Sequence, residues 1–134
     1  RRMRVLDVGC GNGELSRAVA ELVGPEGNVV GLDGSPAAIE AARSETEQTG
    51  LKNIVYVVKD LSTLKFGANS FDCIVGRRVL MYVPSAQNVI ADLVAILRPG
   101  GTMAFQEHDA TLTPGRSGSW PLHDQVYNWI WETV

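Results

Sequence analysis

Short apolar runs alternate along this chain with stretches whose apolar residues recur at helical spacing. Met3 to Val8 reads as a buried strand. Gly13 to Val23 then places Leu15, Val19, Leu22 and Val23 on one helical face, and Gly24-Pro25 ends it. Asn28 to Asp33 is a second strand. Ser35-Pro36 is a strong helix start, with serine as cap and proline at the first helical position. That helix runs to about Gln48-Thr49, where Gly50 stops it. Ile54 to Val58 is a third strand, Leu61 to Ser70 a loop or poor helix, and Phe71 to Gly76 a fourth strand. Ser85 caps a further helix whose apolar face is Val89, Ile90, Leu93, Val94 and Leu97, and Pro99-Gly100-Gly101 terminates it. Thr102 to Glu107 is a fifth strand. After a Gly/Pro/Ser/Thr loop, Leu122, Val126, Trp129 and Ile130 mark the start of a last helix.

Strand and helix in repeated alternation predict an α/β fold: a Rossmann-like open, mostly parallel sheet with helices on both faces. Strands without strict in-out alternation fit a sheet covered on both sides. The 134 residues predict a single domain with a real core. A net charge of −3 and the lack of a basic block argue against nucleic-acid binding through phosphates. Cys10 and Cys73 have no CxxC partner, so neither a metal site nor a disulfide framework is expected. No apolar run is long enough for a bilayer and no signal peptide is visible, which makes a cytoplasmic protein without membrane contact the default expectation.

Ligands of open parallel sheets sit at the carboxyl ends of the strands, so the residues just after each strand are the candidates. Gly9-Cys10-Gly11-Asn12-Gly13 follows the first strand; it is either a plain glycine turn or a backbone cradle for an anionic group facing a helix N-terminus. Asp33 ends the second strand about twenty residues beyond Gly13, where a carboxylate can accept from two ribose hydroxyls. As a helix cap it would be redundant, because Ser35 fills that role better. Asp60 follows the third strand, placed equally well to be a solvated loop aspartate or an acceptor for an adenine amine. Arg77-Arg78 follows the fourth. Glu107, His108 and Asp109 follow the fifth, as acid–base candidates or merely a polar strand end. His123 is expected at the surface.

Two nucleotide classes are disfavoured. The chain has no GxxxxGK[ST] motif, and the dinucleotide pattern GxGxxG fails because Glu14 or Ser16 stands where its third glycine belongs. Glu14 would also put a negative charge beside a pyrophosphate; the site suits a ligand with one carboxylate and an ammonium. The stretches VLDVGCGNGELS, VVGLDGSPAAIEAAR, VVKDLSTLKFGANSFDCIVGRRVLMYV and ILRPGGTMAFQEHD, in this order, resemble the class I S-adenosylmethionine-dependent methyltransferases over about Arg4 to Asp109. Within that class the chain is similar to small-molecule enzymes such as the ubiquinone/menaquinone C-methylases.

The resemblance implies S-adenosylmethionine as cofactor, S-adenosylhomocysteine as product and a small-molecule methyl acceptor. It implies that Gly9, Cys10 and Gly11 line the methionine part of the cofactor, with Asp7 behind the turn toward the ammonium. Asp33 would hold the ribose, Gly34 and Ser35 would flank the adenine, and Asp60 with the Leu61 backbone would meet its amine. Arg77 stands where a backbone carbonyl accepts from the ammonium, leaving its guanidinium to face substrate. If a general base exists, Glu107 or His108 is the candidate; the chemistry itself needs mainly proximity and alignment. The absence of [DNS]PP[YF] after the fourth strand disfavours adenine-N6 methylation. Family members continue into a further helix and a final antiparallel hairpin, so the resemblance implies a domain truncated at both ends, lacking that hairpin and leaving Trp129, Ile130 and Trp131 uncovered. A non-catalytic partner module of the same fold, and an ordinary nicotinamide-dependent oxidoreductase, are the competing readings.

Overall fold

The computed structural model describes residues 2–108 together with 125 and 129. Five strands, β1 (Arg4–Val8), β2 (Asn28–Asp33), β3 (Ile54–Val58), β4 (Phe71–Arg77) and β5 (Leu97–Gln106), form one sheet in the order β3-β2-β1-β4-β5. Every pairing is parallel. Three helices connect them: α1 (Glu14–Val23), α2 (Pro36–Glu47) and α3 (Ala86–Ile96). The order reverses at β1, so the clefts above β1/β2 and β1/β4 open at the carboxyl ends of the strands, where open sheets bind ligands.

Residues of β1, β2 and β4 alternate between two covered faces, whereas Val55 and Val58 of β3 and every second residue at the end of β5 are exposed. Leu6 and Val8 pack with Ile74 and with Val89, Leu93 and Ile96 of α3. Val5 and Val29 pack on the other face with Ala20 of α1, joined by Val19 and Val23. Ile39 and Ala42 of α2 pack on Tyr56 and Cys10. Asp7, Gly31 and Tyr56 are register partners and therefore point to the α1/α2 face.

Helix faces depart from the apolar pattern where small residues make the contact. Leu22 is 86% exposed, while Ser16 and Ala20 are the most buried positions of α1. The helix lies too close to the sheet for larger side chains there: a Cβ on Gly31 would stand 2.9 Å from Ser16 Oγ and 2.7 Å from the Tyr56 ring. In α3 the buried line is Val89, Leu93 and Ile96, and Val94 points outward.

Caps and boundaries also differ in detail. Ser35 caps α2 through its hydroxyl, which accepts from Ala38 N–H. Ser85 occupies the same position before α3 but makes no side-chain cap bond, its backbone standing at φ −141°, ψ 89°. The helix stops at Ile96, ahead of Pro99-Gly100-Gly101, because a residue before proline is driven out of the helical region. β5 consequently begins at Leu97, which pairs with Phe71; the ladder then breaks and resumes at Cys73 and Thr102. Leu61–Thr63 forms one 3-10 turn and Leu80–Tyr82 another. Gln125 and Trp129 are helical; the rest of the expected last helix, with His123 and Asp109, lies outside the described residues.

Candidate functional site: the groove along the carboxyl ends of the strands

The turn after β1 is built by backbone hydrogen bonds. Cys10 N–H donates to the Leu32 carbonyl at 2.9 Å, joining the turn to β2, and Gly13 N–H donates to the Cys10 carbonyl at 2.9 Å. Its three glycines serve different ends. A Cβ on Gly9 would lie 2.5 Å from Val79, and one on Gly13 would lie 2.3 Å from the Tyr56 hydroxyl. Those two make room for neighbouring side chains. At Gly11 a Cβ would meet nothing within 4 Å. There the bare backbone faces open space, as a ligand cradle requires.

Asp33 stands at the centre of this turn system. One carboxylate oxygen accepts from Gly11 N–H at 3.0 Å and the other from Ser35 N–H at 2.8 Å. The residue therefore ties the β1 turn to the β2 turn. A carboxylate has about four acceptor positions, so two remain for a further pair of donors.

Asp7 is 1% exposed and lies behind the turn on the α1 side. Its carboxylate accepts from Ser16 Oγ at 2.6 Å. Burial pushes its pKa up to about 6, partly offset by the Ser16 hydrogen bond and the Arg77 charge. Ser16, which breaks the dinucleotide pattern, thus stands where it orients this acid. Cys10 is buried, and desolvation followed by the charges of Asp7 and Asp33 pushes its thiol up to about 12, keeping it protonated.

Two lobes make up the groove. One, of about 510 Å³, is lined by Asp7, Gly9, Cys10, Gly11, Arg77 and Tyr82 among others. The second, of about 460 Å³, is lined by Gly9, Asp33, Gly34, Asp60, Leu61 and Tyr82 among others. The residues expected from the sequence at the methionine end line the first lobe; of those expected at the adenosine, Asp33, Gly34, Asp60 and Leu61 line the second and Ser35 does not. Ser35 borders the groove through its backbone bond to Asp33. A comparable cavity lies at the opposite, amino-terminal end of the sheet, lined by Ala20, Asn28 and Asn53 among others. It contains none of the expected site residues.

Asp60 ends β3's loop with one oxygen already engaged, accepting from Ser62 N–H and Ser62 Oγ at 2.7 Å each. These bonds hold its pKa below the usual range. Arg77 sends its guanidinium across the mouth of the first lobe to Glu14, at 2.6 Å, and this contact lowers the Glu14 pKa. The guanidinium is thus paired with the first turn of α1. Glu107 accepts from the backbone N–H groups of Val79, Leu80 and Met81. His108 is exposed.

Arg78, a candidate by its place after the fourth strand but given no role by the sequence, lines both lobes, as does Tyr82. Arg78 adopts a left-handed backbone, φ 56°, and its N–H donates to the Gln106 carbonyl at 2.8 Å. Tyr56 was missed. It looks like a strand residue, yet its ring runs under Gly13 and its hydroxyl meets Thr46 Oγ1 at 2.9 Å. Among the described residues no group of three or more His, Cys, Asp or Glu side chains is placed to hold a metal ion, and no helix is long and apolar enough to cross a membrane.

The family model for a methyltransferase domain matches residues 1–133. The chain belongs to the S-adenosylmethionine-dependent methyltransferase family. It is 41% identical over 119 residues to aklanonic acid methyltransferase DauC of Streptomyces sp. strain C5, covering 89% of this chain and 52% of that protein. It is 34% identical over 111 residues to a demethylmenaquinone methyltransferase of Listeria welshimeri, covering 83% of this chain and 47% of the relative. Among solved structures it is similar to an S-adenosylmethionine-dependent methyltransferase from Mesorhizobium loti, with TM-score 0.71 and 30% identity over 84% of this chain and 50% of the other. The methyltransferase chain thus spans about half the length of the curated relatives it matches.

Proposed function

We propose that this methyltransferase domain binds S-adenosylmethionine along the two-lobed groove and serves transfer of its methyl group to a small-molecule acceptor. The observation that carries this reading is the Asp33 carboxylate. It lines the second lobe and is held by Gly11 and Ser35 N–H groups, beside the open backbone face at Gly11. Its unused acceptor positions suit a vicinal pair of ribose hydroxyls. Gly34 and Ser35 flank the adenine, and Asp60 offers its second oxygen to the adenine amine beside the Leu61 backbone. Gly9, Cys10 and Gly11 line the amino-acid end, with the Arg77 backbone carbonyl facing it. Asp7 attracts the ammonium from below; a buried carboxylate beside a cation regains its charge.

Bound there, the cofactor supplies a methyl group already activated on a sulfonium. What the chain must contribute is orientation and exclusion of water. The acceptor is a small molecule, as the names of the two curated relatives describe for themselves, and the setting is cytoplasmic. Incubating the protein with tritium-labelled S-adenosylmethionine and a panel of polyketide and quinol acceptors tests the reaction. Label is expected in the organic extract. Label found instead on protein or nucleic acid would overturn the small-molecule reading.

A further inference from the structure

We infer that Glu107 is a positioning residue, whose carboxylate holds the segment after β4 in the shape the cofactor groove needs. The argument starts from three consecutive amides. Val79 and Leu80 N–H donate to Glu107 Oε1 at 3.1 and 3.0 Å, and Met81 N–H donates to Oε2 at 3.3 Å. These N–H groups open the 3-10 turn Leu80–Tyr82, which has no side-chain cap from its own preceding residue. Backbone donors at the start of such a turn lack intrachain partners, and a carboxylate that takes three of them makes charge-assisted bonds. The same strand end makes a fourth contact, where the Gln106 carbonyl accepts from Arg78 N–H at 2.8 Å.

The clamped segment is the wall shared by both lobes. Val79 is buried against Gly9, in the space a Cβ there would need. Tyr82 and Arg78 line both lobes, and Arg78 holds a left-handed backbone, φ 56°, that an arginine adopts at a cost. The end of β5 pins that conformation from both sides. Glu107 therefore acts on the groove through the backbone of residues 78–82, not through contact with a reacting atom. With both oxygens engaged in this way, it is poorly placed to take a proton from an acceptor.

The inference rests on the methyltransferase reading for its ligand, S-adenosylhomocysteine, but not for its structural half. Amide hydrogen exchange over residues 79–82 and calorimetric titration with S-adenosylhomocysteine, on wild type, Glu107→Gln and Glu107→Ala, test it. In Glu107→Ala, exchange at 79–81 should quicken at least tenfold and affinity should fall by about tenfold. Glu107→Gln keeps one accepting oxygen and should fall between the two. It also serves if the alanine variant does not fold. Unchanged exchange in either variant, or faster exchange with unchanged affinity, would overturn the inference. A wild type that does not bind S-adenosylhomocysteine would instead count against the cofactor reading, while the exchange result still decides whether Glu107 is a clamp.

Discussion

Asp7 is buried with its carboxylate against Ser16, and its pKa stands at about 6 instead of 3.8 because desolvation disfavours the charged form. The sign of its effect on stability follows. Below about pH 4 the group is protonated folded or unfolded and costs nothing. Between about pH 4 and 6 the unfolded chain ionises this acid while the folded state keeps its proton, so stability falls as pH rises across that window and levels off above about 6. The cost reaches at most about 3 kcal/mol near neutrality. Asp7→Asn keeps an acceptor for Ser16 and removes the charge. Its melting temperature at pH 7 should exceed that of wild type, with the gap closing toward pH 4, while its affinity for S-adenosylhomocysteine should drop. Thermal unfolding at several pH values checks the first half, and equal pH profiles for the two proteins would contradict it. Residues of this kind were half legible beforehand. Asp7, Gly11 and Asp33 stand at fixed offsets from a strand end, and local sequence exposes that. Tyr56, Tyr82 and the clamp on Val79, Leu80 and Met81 depend on side chains arriving from distant strands. No local spacing encodes such contacts.

At the scale of elements, strand positions followed from apolar runs because strands covered on both faces, such as β1 and β2, tolerate little else. Helix faces were harder to read. Ser16 and Ala20 bury the contact line of α1 because Gly31 lets the helix approach, so the pattern of large apolar residues pointed to the wrong side at Leu22. The serines before α2 and α3 look alike in sequence and differ in use. The Ser35 hydroxyl oxygen accepts from the Ala38 N–H, whereas Ser85 makes no such bond. Ser35→Ala should therefore cost about 1 kcal/mol, and Ser85→Ala less than about 0.5 kcal/mol. Urea unfolding of both variants measures the difference; equal losses would mean that Ser85 caps its helix after all. The expected strand at Thr102 starts earlier, at Leu97, since proline ends the helix sooner than the glycines do.

For the whole molecule, the strand order β3-β2-β1-β4-β5 places the turns after β1, β2 and β3 side by side, and the groove follows from that order. Residues 9–11, 33–34 and 60–61, scattered in sequence, line two adjoining lobes that share Gly9, Arg78 and Tyr82. The sequence order of motifs carried that arrangement, because right-handed parallel connections leave few other ways to stack the strands. It did not carry the acceptor side, and the chain spans about half the length of its curated relatives. The central claim is that this groove takes an adenosine bearing an amino acid and not a dinucleotide. Calorimetric titration with S-adenosylhomocysteine and with NAD, on wild type and Asp33→Ala, tests it most directly. The account predicts one S-adenosylhomocysteine per chain, affinity at least tenfold weaker in Asp33→Ala, and no heat from NAD. Binding of NAD alone, or an Asp33→Ala protein that holds S-adenosylhomocysteine as tightly as wild type, would contradict it.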